Sequence, residues 1–175
     1  MNLISYKQNG KINLGALEND MIYELHTLDT QIADNMQDFL IGGKDQLLIA
    51  KTAIENGRTT ISKSDVELVS PVPNPPSVRD AYAFRRHVAT ARRNRGLDMI
   101  PEFDEIPIFY FTNHHAVFGG GDFPVRQRHT EKLDFELECA AVIGKGGRNI
   151  STSDADDYIA GFMIMNDLSA RVLPV

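Results

Sequence analysis

The sequence predicts a mainly β, α+β protein in two parts, and three observations predict it. An N-terminal stretch alternates short apolar strands with glycine-bearing turns. A proline-rich hexapeptide, Pro71-Val72-Pro73-Asn74-Pro75-Pro76, then holds half of the chain's eight prolines. Beyond it lies the strongest strand pattern, residues 133–143. Proline fixes φ and biases the preceding residue toward extended backbone, so the hexapeptide reads as a stiff connector. Residues 1–70 are therefore expected to form a small N-terminal domain, 71–76 a connector and 77–175 a second domain.

Each element has a local reason. Leu3-Ile4-Ser5-Tyr6 and Lys11-Ile12-Asn13-Leu14 flank Asn9-Gly10, a dipeptide suited to the positive-φ positions of a tight hairpin. Residues 21–25 read as a third strand. Residues 32–41 and 45–54 carry helical spacing, with Gly42-Gly43 and Gly57 as stops. Residues 77–94 read as a helix capped by Ser77. Residues 107–111 form an aromatic strand, and Gly119-Gly120-Gly121-Asp122 a turn. Ser153 with Asp156 has the form of a capping box opening a short helix to Ala160. Residues 161–165 read as a strand ending at Asn166-Asp167.

Composition excludes several classes. A chain of 175 residues buries roughly two-thirds of its unfolded surface, so it needs no disulfide or metal to fold. With 42% apolar and 24% charged residues it is not a disordered sequence. A net charge of −6 gives no bulk preference for nucleic acid or anionic membrane, and neither is expected as a partner. No apolar run of ~18 residues predicts a membrane span, and Met1 to Tyr6 shows no signal-peptide pattern. The single cysteine, Cys139, suits a reducing compartment, and a cytoplasmic location is expected. No Gly-x-Ser-x-Gly, Walker or His-Glu-x-x-His motif is present.

Chemistry concentrates in Leu133-Asp134-Phe135-Glu136-Leu137-Glu138-Cys139. Residues two apart on a strand share a face, so Asp134, Glu136 and Glu138 oppose Phe135, Leu137 and Cys139. The next four residues, Ala140-Ala141-Val142-Ile143, are all apolar, which predicts burial on both faces and makes Cys139 an inert core thiol. Carboxylates beside a core are costly unless paired or bound to a cation. A hard divalent ion satisfies them, because Mg²⁺ and Ca²⁺ take oxygen ligands. On the stripe alone, the exposed face of an edge strand explains it equally. Asp167, closing an apolar run, is either a further ligand or the start of a turn. In the predicted 77–94 helix, Asp80 and His87 are seven residues apart and share a face. Arg85, Arg86, Arg92, Arg93 and Arg95 surround His87 as an anion site or as a solvated face. His114 and His115 read as loop histidines.

Four segments together resemble the fumarylacetoacetate hydrolase family over about Arg79 to Arg171. They are Arg79-Asp80-Ala81-Tyr82-Ala83-Phe84-Arg85-Arg86-His87, Glu105-Ile106-Pro107-Ile108-Phe109-Tyr110, Asp134-Phe135-Glu136-Leu137-Glu138 and Ile164-Met165-Asn166-Asp167-Leu168-Ser169-Ala170-Arg171, in family order. The resemblance implies that Asp80, Glu136, Glu138 and Asp167 hold Mg²⁺, Ca²⁺ or Mn²⁺. It implies that His87 is the general base on water, and that Tyr82, Tyr110 and Arg95 contact substrate. The implied fold is a small β-rich N-terminal domain followed by a mixed β-roll, as a homodimer. The implied reaction is metal-dependent hydrolysis of a C–C bond in a 1,3-diketo or 2-oxo acid of the fumarylacetoacetate or acylpyruvate type. The metal would serve as Lewis acid and template. Histidine is the side chain that exchanges protons near neutral pH. Relatives that decarboxylate, hydrate or isomerise 2-oxo acids are the alternative within the family.

The family core runs past the Asn-Asp-x-Ser-Ala-Arg segment, and Val172 stands where an aspartate is usual. A lysine, glycines and a threonine of the family site normally follow. The β-roll is thus expected to be incomplete at the C-terminus. Two expectations result: part of a full metal-dependent hydrolase, or a truncated relative that binds metal or a partner without turnover.

Overall fold

The computed structural model describes residues 1–57 and 59–172. Leu173-Pro174-Val175, the last residues of the expected 77–175 domain, lie outside the described residues. The chain divides into two units, one of residues 1–73 with 118–175 and one of residues 74–117.

The first unit begins with an antiparallel sheet of order β4-β3-β2-β1-β5. Its strands are β1 (Asn2–Gln8), β2 (Lys11–Glu18), β3 (Met21–Glu24), β4 (Thr60–Ser62) and β5 (Glu67–Leu68). Gln8 pairs with Lys11 across Asn9 and Gly10, at φ 51° and 79°, which is the two-residue turn read from Asn9-Gly10. A second such turn, Asn19-Asp20 at φ 48° and 62°, joins β2 to β3. The short helix α1 (Leu25–Leu28) precedes the long α2 (Met36–Asn56). The Asn35 side chain accepts from the Asp38 N–H at 2.9 Å and so caps α2. Gly43, at φ 56° and ψ −130°, breaks its helical path, where the sequence placed a stop between two helices. Leu14, Ala16, Leu25, Ile32, Met36, Phe39 and Ala50 form the core between sheet and helix. The connector begins tied to this sheet: the Ser5 hydroxyl donates to the Pro71 carbonyl at 2.8 Å, and Val72 packs against the core.

The unit also holds a long hairpin of β8 (Leu133–Ile143) and β9 (Ile159–Ala170). Its register pairs Glu136 with Asp167 and Phe135 with Leu168, with a bulge between Val142 and Ile143. Asp167 therefore lies inside β9, not at a strand end, because pairing with β8 carries the strand on to Ala170. Ala140 to Ile143 are not buried on both faces. Leu137, Ile164 and Phe162 are 70%, 76% and 69% exposed, and Cys139 is exposed with them. Among the described residues β8 and β9 pair only with each other, which leaves that apolar face uncovered. The expected capping box gives a 3₁₀ turn, Ala155–Tyr158, without a side-chain cap. The Ser151 and Ser153 hydroxyls instead pair with one another at 2.7 Å, and Ser151 with Asp154 at 2.8 Å.

In the second unit, β6 (Val78–Ala81) pairs antiparallel with β7 (Phe109–Thr112). The helix α3 (Arg85–Asn94) starts only after β6, and the short α4 (Glu102–Glu105) follows it. The expected 77–94 helix is thus wrong in its first half. Residues 78–81 gain a ladder with an aromatic strand, and sheet pairing overrides local helical spacing. Val88 anchors α3 as its buried residue. Among the described residues, no helix is long and apolar enough to cross a membrane.

Candidate functional site

The pleat and register of the β8–β9 hairpin build an acidic face. Antiparallel pairing sets Asp134 opposite Ser169, Glu136 opposite Asp167 and Glu138 opposite Met165. Directly opposed residues share a face, so the even-numbered acids of β8 meet the odd-numbered Asp167 of β9. Glu138 and Asp167, both half-buried, each bring a carboxylate oxygen within 4.8 Å of the other. Two hard oxygen donors at that spacing fit Mg²⁺, Ca²⁺ or Mn²⁺. Glu136 faces the same way but is engaged: Arg171 Nη2 donates to Glu136 Oε1 at 2.7 Å. Arg171 Nε also donates to Asp134 Oδ2 at 3.2 Å. The Phe135 N–H donates to the other Asp134 oxygen at 2.9 Å. That N–H first, and Arg171 second, hold the Asp134 carboxyl below the usual aspartate range. Glu136 and then Asp134 raise the Arg171 guanidinium further above its ordinary value.

The second unit carries the remaining residues. Asp80 sits in β6 directly opposite Tyr110 of β7. The Tyr110 hydroxyl donates to Asp80 Oδ2 at 2.6 Å, the length of a charge-assisted bond. Tyr110, expected to contact substrate, thus holds a carboxylate. His87 lies exposed in the first turn of α3, not on one helix with Asp80. Its ring centroid is 6.3 Å from that of Tyr82. Tyr82 lines a cavity of about 180 Å³ together with Val88, Arg92, Arg95, Phe103 and Ile108. Arg95 therefore does reach a concave surface shared with Tyr82. Two of the other arginines are committed locally: Arg85 pairs with Asp104 at 3.1 Å, and Arg92 Nε donates to the Asp98 carbonyl. Arg79 stacks over Phe111 at 4.7 Å, its partner in the ladder. His114 and His115 stack on each other at 4.1 Å.

Two contacts of the candidate site escaped the sequence reading. The Tyr110–Asp80 bond needs the β6–β7 register, and its signal was an aromatic strand able to pair with Val78–Ala81. The Arg171 fork has a plainer signal. Arg171 has the parity of Ser169 and Asp167, so it extends the acidic face by one position. Its N–H continues the ladder to the Lys132 carbonyl at 2.9 Å.

Comparison with known proteins agrees with this fold. The model of the fumarylacetoacetate (FAA) hydrolase C-terminal domain matches residues 77–174. The chain belongs to the fumarylacetoacetate hydrolase family. A mitochondrial oxaloacetate tautomerase of Xenopus laevis is 28% identical over 162 residues, covering 92% of this chain and 48% of that protein. The fumarylacetoacetate hydrolase of the psychrophile Exiguobacterium antarcticum superposes with a TM-score of 0.69 at 20% identity, covering 98% of this chain and 57% of that one. Maleylpyruvate hydrolase of Sphingobium, solved with manganese(II) and pyruvate, gives 0.65 at 22% identity, covering 96% and 58%. The chain thus spans about half the length of the curated relative and 57–58% of the solved ones, and it carries part of the family fold. The expected mainly β, α+β class and the family hold.

Proposed function

We propose that the protein is a metal-dependent hydrolase that cleaves a C–C bond in a 1,3-diketo or 2-oxo acid. The Glu138–Asp167 carboxylate pair on the hairpin's acidic face carries the reading, because two carboxylate oxygens within 4.8 Å offer a divalent ion two hard ligands. Glu138, Asp167, Glu136 and Asp80 would hold the ion, Mg²⁺ by preference, with Mn²⁺ or Ca²⁺ as substitutes. A bound divalent ion supplies Lewis acidity and a template for adjacent substrate oxygens. The chain does the rest. His87 takes a proton from water, whose oxygen adds to the carbonyl as the C–C bond breaks. That proton is then returned to the departing carbon. Tyr82 and Arg95 offer a hydroxyl and a guanidinium to an acidic substrate beside it. Residues 1–70 form a small N-terminal domain, 71–76 a connector and 77–175 the catalytic part. The assembly is a homodimer, and the single free cysteine favours a reducing compartment, the cytoplasm.

A second reading has its own support. The Xenopus relative that matches 92% of this chain is named an oxaloacetate tautomerase, so proton transfer on a 2-oxo acid without C–C cleavage is the alternative. One experiment separates the two. The purified protein with Mg²⁺ or Mn²⁺ is assayed against acylpyruvates, fumarylacetoacetate-type diketones and oxaloacetate. Cleavage of the first two, lost in His87→Ala with metal binding kept, supports the hydrolase. Enol–keto conversion of oxaloacetate without cleavage replaces it with the tautomerase. Metal binding without either activity leaves a non-catalytic relative.

A further inference from the structure

Arg171 is a cation seated on the acidic face of the hairpin. It spends two donors there, 2.7 Å from Glu136 and 3.2 Å from Asp134. A neutral donor such as a tyrosine hydroxyl orients a carboxylate and adds no charge. A guanidinium also brings a full positive charge to Glu136, a carboxylate of the proposed ion site. We propose that Arg171 is a built-in competitor of the divalent ion. It neutralises Glu136 when the ion is absent, and ion binding requires Glu136 to leave it while Asp134 keeps it. The inference deepens the metal reading above and rests on it. Its geometry favours exchange over permanent pairing: all three side chains are a third or more exposed, so water can replace either partner. Asp134 also has its second oxygen anchored by the Phe135 N–H, which makes it the fixed end of the fork.

The sign of the effect distinguishes competition from mere support of Glu136. If Arg171 only oriented Glu136, its loss would weaken ion binding, as loss of an outer partner of a metal ligand does. Competition predicts the reverse. Mn²⁺ is titrated calorimetrically into the wild-type protein, Arg171→Gln, Arg171→Lys and Lys132→Gln. Lys132 lies at the same end of the hairpin and makes no bond to Glu136 in the fork. Arg171→Gln is expected to bind Mn²⁺ about two- to fivefold tighter, the scale of an exposed ion pair removed. Arg171→Lys, which keeps the charge and loses the fork, falls between it and wild type. Lys132→Gln stays near wild type. Unchanged or weaker binding in both Arg171 variants overturns the proposal. So does an equal gain in Lys132→Gln, which would show a general charge effect. Absence of saturable Mn²⁺ binding in the wild-type protein overturns the metal reading itself and this inference with it.

Discussion

Removing one hydroxyl separates two roles for Tyr110. In Tyr110→Phe the ring stays on β7 opposite Asp80, and the 2.6 Å bond to Asp80 Oδ2 is lost. A hydrogen bond to a charged group is worth about 1.5–3 kcal/mol when well shielded. Tyr110 is 53% exposed, so water recovers much of that, and about 1 kcal/mol is the expected cost. Spread over a chain of this size, it lowers the melting temperature by about 2–4 °C. The same loss frees Asp80 to rotate. If Asp80 is a metal ligand, its affinity for Mn²⁺ falls about fivefold, since 1.4 kcal/mol corresponds to tenfold. The assay is calorimetric titration of Mn²⁺ alongside steady-state kinetics. An unchanged Mn²⁺ affinity with a raised KM would refute the reasoning. It would return Tyr110 to the substrate contact that the family resemblance implies.

Three other outcomes are expected. Glu138→Ala should abolish the rise in melting temperature that Mg²⁺ or Mn²⁺ gives the wild-type protein, because an ion bound only to the native state stabilises it; a metal response equal to wild type removes Glu138 from the site. Gly15→Ala should destabilise by about 1–3 kcal/mol in denaturant titration, since overpacked cores lose that much. The new Cβ would lie 2.6 Å from Ile22 Cγ2 and 3.0 Å from Tyr6 Cε1, both in the buried sheet, and a change within about 0.5 kcal/mol of zero would contradict that crowding. Asp134→Asn concerns pH. A carboxyl held below its usual range stabilises the fold above about pH 4 and loses that contribution as the pH falls through its lowered value. The stability gap between wild type and Asp134→Asn should therefore be widest at neutral pH and close on acidification, and a gap independent of pH from 7 to 3 sinks the assignment.

The parts of the fold that the sequence made legible are those set by neighbours along the chain. Asn9-Gly10 forced a turn, the apolar alternation of β1 and β2 followed it, and Gly43 broke α2 because its backbone conformation is one that glycine tolerates. What stayed hidden depended on partners far along the chain. β6 finds β7 thirty positions away, in the Asp80–Tyr110 register, and without that partner Val78–Ala81 reads as the start of a helix. The acidic stripe was legible as a face, since alternation fixes it. The opposite face was misjudged for the same kind of reason: a run of apolar residues predicts burial only if something covers it, and β8 pairs with β9 alone among the described residues.

The candidate metal site follows the same logic one level up. Composition places acids on β8, but it cannot decide which of them meets another carboxylate. The hairpin register decides it. Glu136 stands directly opposite Asp167, and Glu138 is its diagonal neighbour on the same face. Like charges so placed repel, which costs stability unless a cation neutralises them. The fold brings Arg171 to Asp134 and Glu136. The Glu138–Asp167 pair lies further along the hairpin, beside Met165 and toward Ala140 and Met163. There the surroundings turn apolar and a charge is harder to leave to water. The charge at the Arg171 end is satisfied by the chain itself. At the apolar end, the Glu138 and Asp167 oxygens, within 4.8 Å of each other, are what the proposed divalent ion would use.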